Sequence, residues 1–109
     1  VLGKRLFPEA DQLQLRETFE MRYARNDKSV YMALLKSLPT WSVRERIGVL
    51  KMPLLVIGAE FDYTPFSEKE AYVAELDQAE LVKVEGSRHG TPFDRPEQFN
   101  GLVLEFLQA

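Results

Sequence analysis

One histidine occurs in the sequence, His89, within Gly86-Ser87-Arg88-His89-Gly90-Thr91-Pro92. Upstream of it, Asp62 sits in Gly58-Ala59-Glu60-Phe61-Asp62-Tyr63-Thr64-Pro65. A carboxylate that accepts the Nδ1–H of an imidazole fixes the ring's tautomer and stabilises the imidazolium. The other ring nitrogen can then take a proton from a hydroxyl nucleophile. Glu60 lies beside Asp62 and stays open as a second candidate acid. Each residue also has a plainer reading: Asp62 as a turn former before Pro65, His89 as a surface or helix-capping side chain.

For Asp62 and His89 to meet, the elements before them must end at the same place. Pro53-Leu54-Leu55-Val56-Ile57-Gly58 is continuously apolar, as expected for a strand covered on both faces of a parallel sheet. Ser67-Glu68-Lys69-Glu70 has the spacing of a capping box. The helix it opens carries Ala71, Tyr72, Ala74 and Leu76 and is expected to end near Gln78. A second strand is predicted over Glu80-Leu81-Val82-Lys83-Val84-Glu85, then a loop over 86–93. Asp94-Arg95-Pro96-Glu97 again has cap spacing, with Asp94 as N-cap of a last helix whose Phe99, Leu102, Val103, Phe106 and Leu107 face inward. Strand, helix, strand, helix is a parallel crossover unit, nearly always right-handed. Ligands of open parallel sheets bind beyond the carboxyl ends of the strands, where Asp62 and His89 both fall.

The first part of the chain reads as helical. Pro8 suits a first helical turn, and Leu15, Phe19 and Tyr23 recur at intervals that share a face. Asn26 or Asp27 can cap the next helix. There Tyr31, Leu34, Leu35 and Leu38 form an amphipathic stripe that Pro39 stops.

Composition narrows the function classes. A formal net charge of -3 gives no electrostatic case for nucleic acid or an anionic membrane. With 0 Cys there is no disulfide framework, thiolate metal site or cysteine nucleophile, and a reducing, cytoplasmic setting is expected. One His and no Cys argue against zinc, and no cofactor is expected. No apolar run approaches the roughly 20 residues of a membrane helix.

The strand and turn around Asp62 resemble the penultimate core strand and acid-bearing turn of the α/β-hydrolase fold. Gly86-Ser87-Arg88-His89 with Asp94-Arg95-Pro96-Glu97-Gln98-Phe99 is similar to that family's histidine loop and closing helix, matching at Gly86, His89, Asp94 and Pro96. The resemblance covers residues 47–109 well and 1–46 loosely, as a helical lid inserted before that strand. It implies an α/β fold in which the C-terminal part of an α/β-hydrolase-type parallel sheet (β-α-β-α) follows a lid segment. The expected division is 1–46 lid and 47–109 core. By the same resemblance Asp62 is the triad acid and His89 the general base. The implied activity is hydrolysis of an ester, thioester or similar small acyl substrate.

Two positions depart from the family pattern. The acid commonly stands three residues after the glycine, whereas Asp62 stands four after Gly58. No window fits the G-x-S-x-G nucleophile elbow; Gly86-Ser87-Arg88-His89-Gly90 carries its serine one place early. The nucleophile and oxyanion hole are therefore expected upstream of Val1, and the 109-residue piece alone is expected to be inactive. Ser87 reads as a loop hydrogen-bonder. Phe61, Tyr63, Phe66 and Phe93 read as loop packing or as an apolar substrate wall. The alternatives are a non-catalytic hydrolase-fold binding module, or an independent small domain that dimerises through its open sheet edge.

Overall fold

The computed structural model describes residues 2–109. They form two compact units, one running to Glu45 and the other Arg46–Ala109.

The first unit is helical. Helix α1 (Leu2–Leu6) precedes a 3-10 turn (Ala10–Gln12), α2 (Leu13–Tyr23) and α3 (Lys28–Ser37). Phe7, Phe19, Tyr23 and Tyr31 form a chain of ring contacts with centroids 5.3–5.9 Å apart. The helical spacing of Phe19 and Tyr23 places them for it. Asp27 caps α3, its carboxylate accepting from the N–H of Ser29 (2.8 Å) and Val30 (3.1 Å). The α3 stripe runs out as the sequence predicts, with Pro39 in a 3-10 turn, Leu38–Thr40. It is not buried, however: of its four stripe residues only Tyr31 is partly covered.

A 3-10 turn over Arg44–Val49 spans the boundary, and the second unit continues with strand β1 (Leu54–Phe61), helix α4 (Phe66–Val73), strand β2 (Ala79–Arg88), the one-turn helix α5 (Thr91–Asp94) and helix α6 (Pro96–Gln108). β1 and β2 pair in parallel, the only sheet among the described residues, in register from Leu54 against Ala79 to Ala59 against Val84. Ala59 and Val84 are buried, whereas Leu54 to Ile57 are only half-buried. A sheet of two strands leaves edges that cannot cover them. β1 and α6 line an apolar groove of about 430 Å³, walled by Leu54, Leu55, Ile57, Phe99, Val103 and Phe106.

Several sequence expectations are corrected. Both strands run past their predicted ends, through Phe61 and Arg88, because the ladder resumes after an irregularity that pairs Phe61 with Arg88. The Ser67 capping box does not form: the N-cap is Pro65, two residues earlier, so Ser67 lies inside the first turn. Proline's fixed φ, here -54°, favours that start. α4 stops at Val73 rather than near Gln78. Asp77 pairs with Lys51 (2.8 Å), and Gln78 takes the N–H of Leu54 on its carbonyl, which aligns the chain for β2. Asp94 is not the cap of α6; it is buried and turned toward β2. Leu107 borders the groove between β1 and α6 but is 71% exposed.

Candidate active site

Beyond Ala59 and Val84, residues 85–87 of β2 stand opposite Glu60 alone. A bulge of this kind bends its strand and re-aims the side chains on its far side. Gly86 makes it practicable: its φ of 66° is the left-handed region that side chains disfavour. Glu60 accepts the Gly86 N–H on Oε2 at 2.8 Å, and Arg95 donates to the Gly86 carbonyl at 2.7 Å. Glu60 thus serves the backbone of the bulge, and its carboxylate is not the one that meets His89.

The bulge turns Ser87 inward, where it is fully buried. Ser87 Oγ donates to Asp94 Oδ1 (2.9 Å), and Thr91 Oγ1 lies 2.8 Å from it. The second Asp94 oxygen accepts the Arg88 N–H at 2.8 Å. No buried side-chain polar atom among the described residues lacks a partner, so this cluster meets the requirement for satisfied interior groups. Its effect is to pin the chain at the C-terminal end of the bulge, immediately before His89. The sequence marked Asp94 as structural, but it assigned the wrong contact.

Asp62 and His89 meet at this end of the sheet. His89 Nδ1 lies 2.7 Å from Asp62 Oδ1. An ionised carboxylate can only accept, so the ring donates from Nδ1 and Nε2 is left available. Asp62 Oδ1 also accepts the Tyr63 N–H at 2.7 Å, and Oδ2 pairs with Lys69 Nζ at 3.0 Å. Partial burial raises the Asp62 pKa, but the hydrogen bonds from His89, Lys69 and Tyr63, with the Lys69 charge, hold it below the ordinary Asp value overall. The Tyr63 ring lies against the imidazole, centroids 4.7 Å apart. The His89 side chain remains 59% exposed, against 13% for Asp62.

The aromatic residues flanking the two segments divide. Phe66 packs beneath the strand and carries Lys83 over its ring at 4.3 Å. Phe61, Tyr63 and Phe93 are exposed, and the Arg88 guanidinium lies over Phe61 at 5.2 Å. Among the described residues no group of three or more His, Cys, Asp or Glu side chains converges to hold a metal ion. No helix among them is long and apolar enough to cross a membrane.

No protein-family model matches the sequence. Curated relatives do. A proline iminopeptidase of Thermoplasma volcanium is 24% identical over 62% of this chain and 23% of its own length. A putative carbamate hydrolase, RutD, of Rhizobium rhizogenes is 28% identical over 75% of this chain and 32% of its own. The AB hydrolase superfamily protein YisY of Bacillus subtilis is 25% identical over 99% of this chain and 41% of its own. The crystal structure of MGS-MChE2, an alpha/beta hydrolase enzyme from the metagenome of Mar Chica lagoon sediments, superposes with a TM-score of 0.67 at 23% identity. That match covers 98% of this chain and 54% of the other, and it establishes likeness of fold. The chain spans less than half the length of the curated relatives it matches.

Proposed function

We propose that this chain, whose relatives and fold are those of the α/β-hydrolase superfamily, supplies the acid and the general base of a serine-type hydrolase acting on an ester, thioester or similar small acyl compound. The observation that carries the reading is the 2.7 Å contact between His89 Nδ1 and Asp62 Oδ1, with the imidazole otherwise open to solvent. In the reaction, His89 Nε2 takes the proton of a serine hydroxyl as the oxygen attacks the substrate carbonyl. The imidazolium then protonates the leaving group, the acyl–leaving-group bond breaks, and an acyl-enzyme remains. A water molecule, deprotonated by the same nitrogen, releases the acid and restores the serine. Asp62 stays ionised throughout and stabilises each imidazolium.

On this reading the serine and the oxyanion donors are supplied from outside these 109 residues, since no window of the sequence fits the nucleophile elbow. Ser87 does not fill the serine's role: it is fully buried and its hydroxyl is engaged by Asp94. The names of two relatives, an iminopeptidase and a carbamate hydrolase, support attack at a carbonyl carbon as the shared chemistry.

The test is His89→Ala in the protein at its natural length, assayed on an activated p-nitrophenyl ester. Turnover is expected to fall on the order of 10³-fold or more with the fold retained. Unchanged turnover removes the catalytic assignment of His89, whereas a residue other than serine at the strand-to-helix elbow of the natural chain favours a binding module.

A further inference from the structure

Lys69 is a cation drawn against the acid of the candidate site, and no step of the proposed hydrolysis uses it. It lies on α4, and its side chain is only 12% exposed, unusual for a lysine. Its Nζ donates to Asp62 Oδ2 (3.0 Å) and to Thr64 Oγ1 (2.8 Å), so it ties together the acid and the turn that bears it. The lysine reaches this position because its stem crosses Gly58. A Cβ added at Gly58 would stand 2.9 Å from Lys69 Cδ and 2.7 Å from Phe66 Cε2, closer than packed carbon atoms come. Gly58 is therefore a seat for the lysine stem.

We propose that Lys69, seated on Gly58, is a positioning residue that engages one oxygen of the Asp62 carboxylate and so turns the other toward His89. The contact with His89 makes the role specific. A carboxylate with one oxygen unheld can rotate about its χ2 torsion, which is broad and poorly confined by itself. With Oδ2 fixed by Lys69 and Oδ1 by the Tyr63 N–H, the remaining lone pair of Oδ1 is directed at the ring. Burial alone would favour the neutral acid, and Lys69 is among the groups that keep it charged. The charged groups around Asp62 are Lys69 from α4 and His89 from the loop after β2; the nearby Glu60 carboxylate is turned to Gly86. Lys83 lies over Phe66 and makes no contact with the acid, which makes it a matched control.

This inference rests on the hydrolase reading for its kinetic consequence, and its electrostatic consequence is independent of it. Carbon-13 NMR of the Asp62 carboxyl, in the protein at natural length, reads the second; ester hydrolysis reads the first. Lys69→Met is expected to move the Asp62 titration upward toward the ordinary carboxylate range. It should lower kcat about tenfold with KM unchanged, the cost of a misaligned acid rather than a lost substrate contact. Lys83→Met is expected to leave both unchanged. Gly58→Ala leaves every charge in place while displacing the stem, and is expected to move the titration the same way by a smaller amount. Should Lys69→Met fail to fold, Gly58→Ala decides. An Asp62 titration that does not move in a folded variant, or that moves equally in Lys83→Met, overturns the proposal. If the titration responds while the unaltered protein cleaves no ester, the clamp stands and the hydrolase reading falls.

Discussion

The turn after β1 and the loop after β2 hold their reactive groups in opposite ways. Asp62 is itself gripped: both oxygens are engaged, by Tyr63, His89 and Lys69, and the side chain is largely buried. His89 has one nitrogen engaged and stays mostly exposed. Its rigidity is supplied by residues before and after it, through Glu60 on Gly86 and Asp94 on Ser87 and Arg88. The difference fits the chemistry proposed for each. A carboxylate accepts at several lone pairs and loses nothing by being held at all of them, whereas a proton-transferring imidazole needs one nitrogen unoccupied. Immobilising the neighbours of the base, rather than the base, reconciles order with access.

The comparison can be broken most directly at the acid. Asp62→Asn preserves shape but removes the acceptor charge, and turnover on an activated ester is expected to fall on the order of 10³- to 10⁴-fold. An effect near twofold would mean that His89 needs no partner. On the other side, Asp94→Ala strips the acceptor from buried Ser87 and from the Arg88 N–H. Denaturant unfolding should show a loss of about 1–3 kcal/mol, with Asp94→Asn retaining part of it. If stability is unaffected, the loop owes its order to something else.

Gly86→Ala places a side chain at a φ of 66° and its Cβ 3.0 Å from an Arg95 nitrogen. A destabilisation of about 1–2 kcal/mol is expected, read from the same unfolding curves. The smallest effect concerns pH. Asp62 titrates below its ordinary value in the folded state, so its contribution to stability is fully present above the unfolded Asp value of about 3.9. That contribution is lost as pH falls through the lower folded value. Melting curves taken from pH 6 down to pH 2 should therefore flatten in Asp62→Asn relative to the unaltered protein. Parallel curves would show that the acid's contacts add nothing to the fold.

Much of this architecture was legible in the residue pattern. Prolines and apolar periodicity located α2, α3, β1, β2 and α6, because those signals are local and each element satisfies its own backbone. Asp27 was legible as a cap for the same reason: a side chain two or three positions from the N–H groups it serves can be read within one window. Ser67 shows the limit, since a correct capping spacing lost to a proline that starts the helix two residues sooner. On α3 the periodicity marks Tyr31, Leu34, Leu35 and Leu38 as sharing a face, but periodicity does not state whether anything covers that face. At the site, the meeting of Asp62 and His89 was legible from residue type and from the strand ends they follow, while the contacts of Glu60, Asp94 and Lys69 were not.

Residue order alone determined which elements form and which chemical groups stand at the carboxyl ends of the strands, because those outcomes depend on neighbours within a few positions along the chain. The tertiary structure decided how the groups are aimed. The bulge at residues 85–87, the bond from Gly86 to Glu60 and the reach of Lys69 across Gly58 to Asp62 all depend on two strands and a helix lying side by side. Contacts of that kind join positions remote in sequence, and their geometry exists only once the backbone has closed around them.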